Sequence, residues 1–179
     1  PILRKTKYLA ILDIDEYLYS PSNKPIKSVL EEYGEYSQII VKWIIFGSNG
    51  IIEQPKIIVD NFLKRVDISN SYLINPHPYK SIINTKYLRK FNIHKHDVIG
   101  HSIEIGFISD DLIINHYINQ SYNFYMYNKL PKGSANNFQN CGSKKIPSLI
   151  KSPKKFNEVD LYSTVFDDRL FKQKYPDLT

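Results

Sequence analysis

Apolar positions along the chain gather into short runs divided by turn-forming residues, and the runs follow two different periods. Lys7 to Ile14 is nearly continuous in its hydrophobicity, YLAILDI, and finishes in acid. Such a run predicts a buried central strand with charge at its carboxyl end, a common address for active sites in α/β sheets. Two prolines, two serines and an asparagine make Ser20 to Pro25 a loop, and Ile26 to Tyr36 follows with a short helical pattern. Ser37 to Phe46, SQIIVKWIIF, alternates and then saturates with β-branched and aromatic residues before stopping at Gly47-Ser48-Asn49-Gly50. That pattern predicts a second core strand entering a glycine-bounded turn.

Lys56 to Val66 places Ile57, Ile58, Phe62 and Val66 at helical spacing with basic residues opposite, although a strand followed by a helix fits equally. Three β-type runs, Lys80 to Leu88, Asp97 to Phe107 and Asp111 to Ile118, predict a small mixed or antiparallel part of the sheet. Helical spacing returns in Ser121 to Leu130 through Tyr122, Tyr125, Met126 and Leu130. Between residues 128 and 157 seven lysines occur and no acidic residue, with Gly, Ser, Pro and Asn accumulating, so a long basic surface loop is expected there. Glu158 to Tyr175 reads as a closing amphipathic helix. No internal repeat is present.

At 179 residues the chain is the size of one large domain, and residues 1–179 are expected to share one core. With 42% hydrophobic and 23% charged residues it is too apolar for disorder and too evenly mixed for a coiled coil. No apolar run approaches the ~20 residues that cross a bilayer. The expected state is soluble, with a cytoplasmic location ahead of a secreted one, because the lone Cys141 forms no intramolecular disulfide. It also excludes a thiolate zinc cluster, so any metal must sit on oxygen or imidazole. A net charge of +6 favours anionic partners, discounted because Ile, Asn, Lys and Tyr are all abundant here, as in the product of an AT-rich coding sequence.

Asp13-Ile14-Asp15-Glu16 carries the most chemistry. If the strand runs through it, Asp13 and Asp15 project to the same side and Ile14 to the other. Neighbouring carboxylates in a partly desolvated place repel, and a divalent cation removes the conflict. Mg²⁺ and Mn²⁺ prefer oxygen ligands shared with substrate phosphates, which suits a site with only two protein carboxylates. A solvated acidic strand end is the simpler alternative. His116, in Asn115-His116-Tyr117, could complete such a site; His94, His96 and His101 form no zinc pattern.

Four blocks, LDIDEYLYSP, VKWIIFGSNG, YKSIIN and INHYINQSYNFYMYNK, together resemble glycosyltransferase family 92 and its family-2-like relatives in order and approximate spacing. The family pattern is an acidic D-x-D-E-F strand end, a W-x-x-F-G-S-S-G strand and turn, a K-S-I strand and N-H-Y; the tail NEVDLYSTVFDDRLFKQKYPDL is similar to its closing helix. The resemblance implies an α/β fold of the GT-A type, a mixed sheet flanked by helices. Asp13 and Asp15 would hold Mn²⁺ or Mg²⁺ against a nucleotide-sugar diphosphate, with His116 as a third ligand. Lys80 and Ser81, with Gly47, Ser48 and Gly50 of the turn, would contact the donor, and a glycan, protein or small-molecule hydroxyl would be the acceptor. Asp110 and Asp111, just before the strand of His116, are the candidates for the catalytic base.

Three departures stand out: Gln120 precedes Ser121 where the family has lysine, Tyr17 replaces phenylalanine, and Asn49 replaces serine. Family members also carry earlier strands with a nucleotide-binding asparagine or aspartate, so the domain is expected to be incomplete. Two other readings compete. A haloacid dehalogenase-type phosphatase also opens with a strand ending D-x-D, but Tyr17 is bulky for that motif. A non-enzymatic nucleic-acid binder would use fourteen tyrosines and the basic loop, yet no RNA-binding or helix-turn-helix pattern accompanies them.

Overall fold

The computed structural model describes residues 5–69, 79–91, 96–129, 163 and 165–178. They group into two compact units, one of residues 1–44, 68–116 and 172–179, the other of residues 45–67 and 117–171. The expected basic loop lies outside the described residues apart from positions 128 and 129, and so does His94.

The first unit is an α/β body built on a mixed sheet with few helices. Its strands are β1 (Tyr8–Ala10), β2 (Glu16–Tyr19), β3 (Gln38–Ile45), β5 (Tyr79–Asn84), β8 (Ser102–Ile105) and β9 (Ile113–His116), in the order β1-β5-β3-β9-β2 with β8 paired to β3. Within it β3 pairs antiparallel with β5 and parallel with β8. The run expected from Ser37 to Phe46 is found almost residue for residue as β3, because its β-branched and aromatic side chains pack well on a pleated, half-buried surface. β9 also falls within a predicted run, and β5 starts one residue ahead of one. The separate pair β6 (Leu88–Lys90) and β7 (Asp97–Val98) extends the β-rich stretch.

The first predicted strand is a correction. Only Tyr8–Ala10 joins the ladder, and it does so at the end of the sheet order, pairing with β5. Residues 11–15 leave the ladder, and the chain re-enters it as β2, antiparallel to β9. Leu12 still packs against the core, so the apolar run reflects burial without a continuous strand.

Helix α1 (Ile26–Glu32) buries Val29 and Leu30 against Ile39, Val41, Ile82, Ile105, Leu112 and Ile114. Pro25 precedes it, and Gly34 lies just beyond its end. One hydrogen bond ties this helix region to the start of β9: Tyr33 Oη donates to Asp111 Oδ2 at 2.5 Å. That bond, with burial, pushes the Tyr33 phenol up to about 12.

In the second unit, β4 (Lys64–Arg65) pairs with β10 (Val165–Phe166), and α2 (Ile58–Asn61) is the helical part of the stretch expected over Lys56 to Val66. Tyr117 packs on Phe46, with ring centroids 4.7 Å apart, and near Phe62. Buried Asp167 lies between Arg65 and Arg169, at 2.6 and 2.7 Å, and these partners hold its carboxyl below the usual range against the opposing effect of burial. The helix expected from Ser121 begins as α3 (Tyr122–Phe124), capped by Ser121 Oγ, and widens into a π turn over Tyr125–Lys129. The closing helix is shorter than expected: among the described residues it is α4 (Arg169–Lys174), preceded by β10.

Replacing Tyr33 by Phe removes a hydrogen bond to a charged acceptor and is expected to cost about 2 kcal/mol of stability. Urea unfolding of the variant beside the wild type measures it; an unchanged midpoint and slope would contradict the role given to this bond.

Candidate functional site

Strand alternation decides which side chains meet. The register pairs Val41 with Lys80, Ile39 with Ile82, Leu18 with Ile114 and Glu16 with His116. Residues two apart share a face, so Trp43 joins Ile39 and Val41, Lys80 joins Ile82, His116 joins Ile114, and Glu16 joins Leu18. The aliphatic members of this face form the core of the unit. Glu16, Trp43, Lys80 and His116 are its continuation at one end of the strands, a polar cap on an apolar layer.

The contacts bear this out. Lys80, only 4% exposed, places Nζ 3.0 Å from Asp13 Oδ2 and 3.4 Å from Glu16 Oε2, and 5.7 Å from the Trp43 ring centre. Trp43 meets His116 edge to face at 4.5 Å, and His116 Nε2 lies 3.8 Å from Asp15 Oδ1. β3 and β9 stand between β5 and β2, so Lys80 and Glu16 come together over roughly 14 Å of strand spacing. Side chains rise off a sheet face, so that contact requires the sheet to curl around the cluster.

Asp13 and Asp15 are not arranged as the strand reading expects. The amide of Glu16 donates to the Asp13 carbonyl at 3.0 Å, and the Asp13 amide donates to Glu16 Oε2 at 2.9 Å. DIDE is therefore a four-residue turn locked from both sides, with Ile14 at its tip, 96% exposed. Its two aspartates reach different surroundings. The Asp13 side chain keeps 53% of its surface exposed beside Lys80, whereas Asp15 is buried beside His116.

Their electrostatics separate as well. Burial alone would raise the Asp13 carboxyl, but the hydrogen bond and charge of Lys80 outweigh it and hold Asp13 below its ordinary value. Glu16 is pushed up to about 7, chiefly by burial, with the Asp13 amide and Lys80 opposing the rise. Its Oε1 and the indole Nε1 of Trp43 are buried and have no hydrogen-bond partner among the described residues. The cluster thus holds one fully buried cation, one rim carboxylate that stays ionised, and one carboxyl poised near neutrality.

The remaining predicted residues lie elsewhere. Ser81, adjacent to Lys80 in the strand, turns to the opposite face and accepts a hydrogen bond from Gln38 Nε2 at 2.6 Å. Asp110 and Asp111 stand at the Ile113–Tyr19 end of the β2–β9 ladder, away from His116. There the Asp110 carbonyl accepts from Ser22 N and Ser20 Oγ, while Asp111 holds Tyr33. In the second unit, Ser48 to Ile51 is a hydrogen-bonded turn with Asn49 at φ 55° and Gly50 at φ 73°. Asn-Gly suits that left-handed pair. Asn49 bonds to Asn61 O and Lys64 N, and Gly47 N donates to Lys64 O, so the FGSNG block is tied into its own unit. Glu16 and Trp43 are the site residues missed from sequence; the signal for Glu16, its place after D-x-D, was in view, but its pairing with His116 was not.

Among the described residues no three His, Cys, Asp or Glu side chains stand close enough to hold a metal ion by themselves. The oxygens and imidazole present do suit an ion that draws its other ligands from phosphate and water, since Mg²⁺-type ions bind through one or two carboxylates plus substrate. Also among the described residues, no helix is long and apolar enough to cross a membrane.

An α/β body with a curled mixed sheet and a carboxylate turn at its rim is consistent with a glycosyltransferase domain. The family model for glycosyltransferase family 92 matches residues 2–158, and the chain belongs to that family. None of the curated proteins matches it. Membership makes the chain a transferase with donor and acceptor substrates.

Glu16 gives a pH signature. Its carboxyl titrates near 4.5 ordinarily and near 7 in the fold, so the folded state keeps a proton that the unfolded state releases. Stability from this group therefore falls as pH rises from about 4.5 to about 7, by about 3 kcal/mol in all. In chelator-containing buffer, Glu16→Gln is expected to gain on the wild type between pH 5 and pH 8. Urea unfolding at the two pH values checks it; an equal difference at both contradicts the assignment.

Proposed function

We propose that this family 92 domain moves a hexosyl group from a nucleotide-sugar donor, a UDP-sugar, to a hydroxyl of a glycan, protein or small-molecule acceptor, on a GT-A-type sheet. The observation that carries the reading is the DIDE turn, which offers an ionised, half-exposed Asp13 carboxylate at the rim of a buried polar cluster. Asp13 would hold Mn²⁺ or Mg²⁺ in common with the donor diphosphate, with Asp15 and His116 behind it. When bound, the ion neutralises charge on the departing nucleoside diphosphate.

The chain's own residues do the rest of the positioning. The reciprocal Asp13–Glu16 bonds hold the turn, and the Trp43 indole packs against His116 and Lys80, restricting their rings and stems. The acceptor hydroxyl needs a base within hydrogen-bond reach. Asp110 and Asp111 lie at the other end of the ladder, where the Asp110 carbonyl accepts from Ser20 and the Asp111 carboxylate from Tyr33.

UDP binding measured by calorimetry tests this. Millimolar Mn²⁺ is expected to promote it and chelator to abolish it, and Asp13→Asn should weaken it at least about tenfold with an unchanged circular dichroism spectrum. Equal UDP affinity in chelator, or in Asp13→Asn, would overturn the reading.

A further inference from the structure

Lys80 is placed unusually for a lysine. Five of the six residues of β5 are buried, Lys80 among them at 4% exposure, and its ammonium meets the half-exposed Asp13 carboxylate at the rim. It rests instead between Asp13 and Glu16, with Trp43 beneath. A divalent ion approaching Asp13 would therefore meet a carboxylate whose charge is already cancelled. The pair Asp13 and Lys80 sums to zero; Glu16 and Asp15, the latter 3.8 Å from His116 Nε2, are buried behind them. With the lysine in place Asp13 attracts a doubly positive ion less than it would alone, since the ammonium repels the ion at nearly the distance from which the carboxylate attracts it.

A diphosphate changes the balance. Its negative oxygens supply ligands for the ion and a new partner for the lysine, for which an ammonium is a good match.

We propose that Lys80 is the resident counter-cation of the site, a positioning residue that keeps divalent ions off Asp13 until a diphosphate-bearing donor arrives with them. This rests on the reading of Asp13 as a ligand shared with the donor. It makes metal and donor binding mutually dependent, so the free protein does not spend its time as a metal complex without substrate.

The test is uptake of Mn²⁺ itself, followed through the electron paramagnetic resonance signal of the free ion, with and without UDP. Wild type and Lys80→Arg, which keeps the charge, should leave Mn²⁺ free without UDP. Lys80→Ala should bind it without UDP at least about tenfold more tightly than the wild type does; a lysine with a merely structural role would give no such gain. If Lys80→Ala does not fold, Lys80→Met keeps the stem over Trp43 and carries the same expectation. No gain in either variant, or Mn²⁺ bound by the wild type as tightly without UDP as with it, overturns the proposal. The two failures are distinguishable. Should UDP bring no Mn²⁺ to the wild type while Lys80→Ala binds it alone, the donor reading falls and takes the proposal with it, leaving only the screening of Asp13 by Lys80; the reverse pattern leaves the donor reading and removes the role of Lys80.

Discussion

A single ammonium group, sealed beneath the rim of the sheet, organises the polar end of this domain. Taking a lysine out of water costs several kcal/mol, and only close, well-directed partners offset that. Lys80 has Asp13 and Glu16 within 3.4 Å and an aromatic face below. Removing a partner would leave the buried charge with less compensation, which costs more than the pair contributes. The arrangement is thus better understood as a constraint than as a source of stability: it fixes the DIDE turn, and the turn fixes where the exposed Asp13 carboxylate points.

The constraint follows from the curl of the sheet and from parity along its strands. β2, β3, β5 and β9 each present aliphatic residues to the core and then, one alternation further, a polar or aromatic one to the same side. The layer therefore changes character at one end without any break in backbone pairing. That permits a half-neutral Glu16 and an imidazole to lie against a dry core, where electrostatic effects are stronger than in water.

Much of this was legible in the sequence, and the remainder was hidden for an identifiable reason. SQIIVKWIIF announces β3 because local composition and pattern agree, and the DIDE, KS and NHY blocks located Asp13, Lys80 and His116. Long-range register was not visible. That Glu16 faces His116, and that Ser81 faces away from Lys80, depends on which strands pair and in what phase, and a one-residue slip would reverse both. YLAILDI misled in a different way: Ile11 and Leu12 lie outside the ladder, Leu12 packs on the core all the same, and a turn begins where a strand was expected. Asp111 accepts a hydrogen bond from Tyr33, a pairing between residues too distant in the chain for any local pattern to reveal.

The central claim, that Lys80 and Glu16 depend on one another inside the fold, is tested most directly by a double-mutant cycle on unfolding free energy at pH 8. Lys80→Met alone should be strongly destabilising, by about 3 kcal/mol or more, and adding Glu16→Gln should recover a large part of that loss, giving a coupling well above ~1 kcal/mol. Additive effects of the two substitutions would contradict the account.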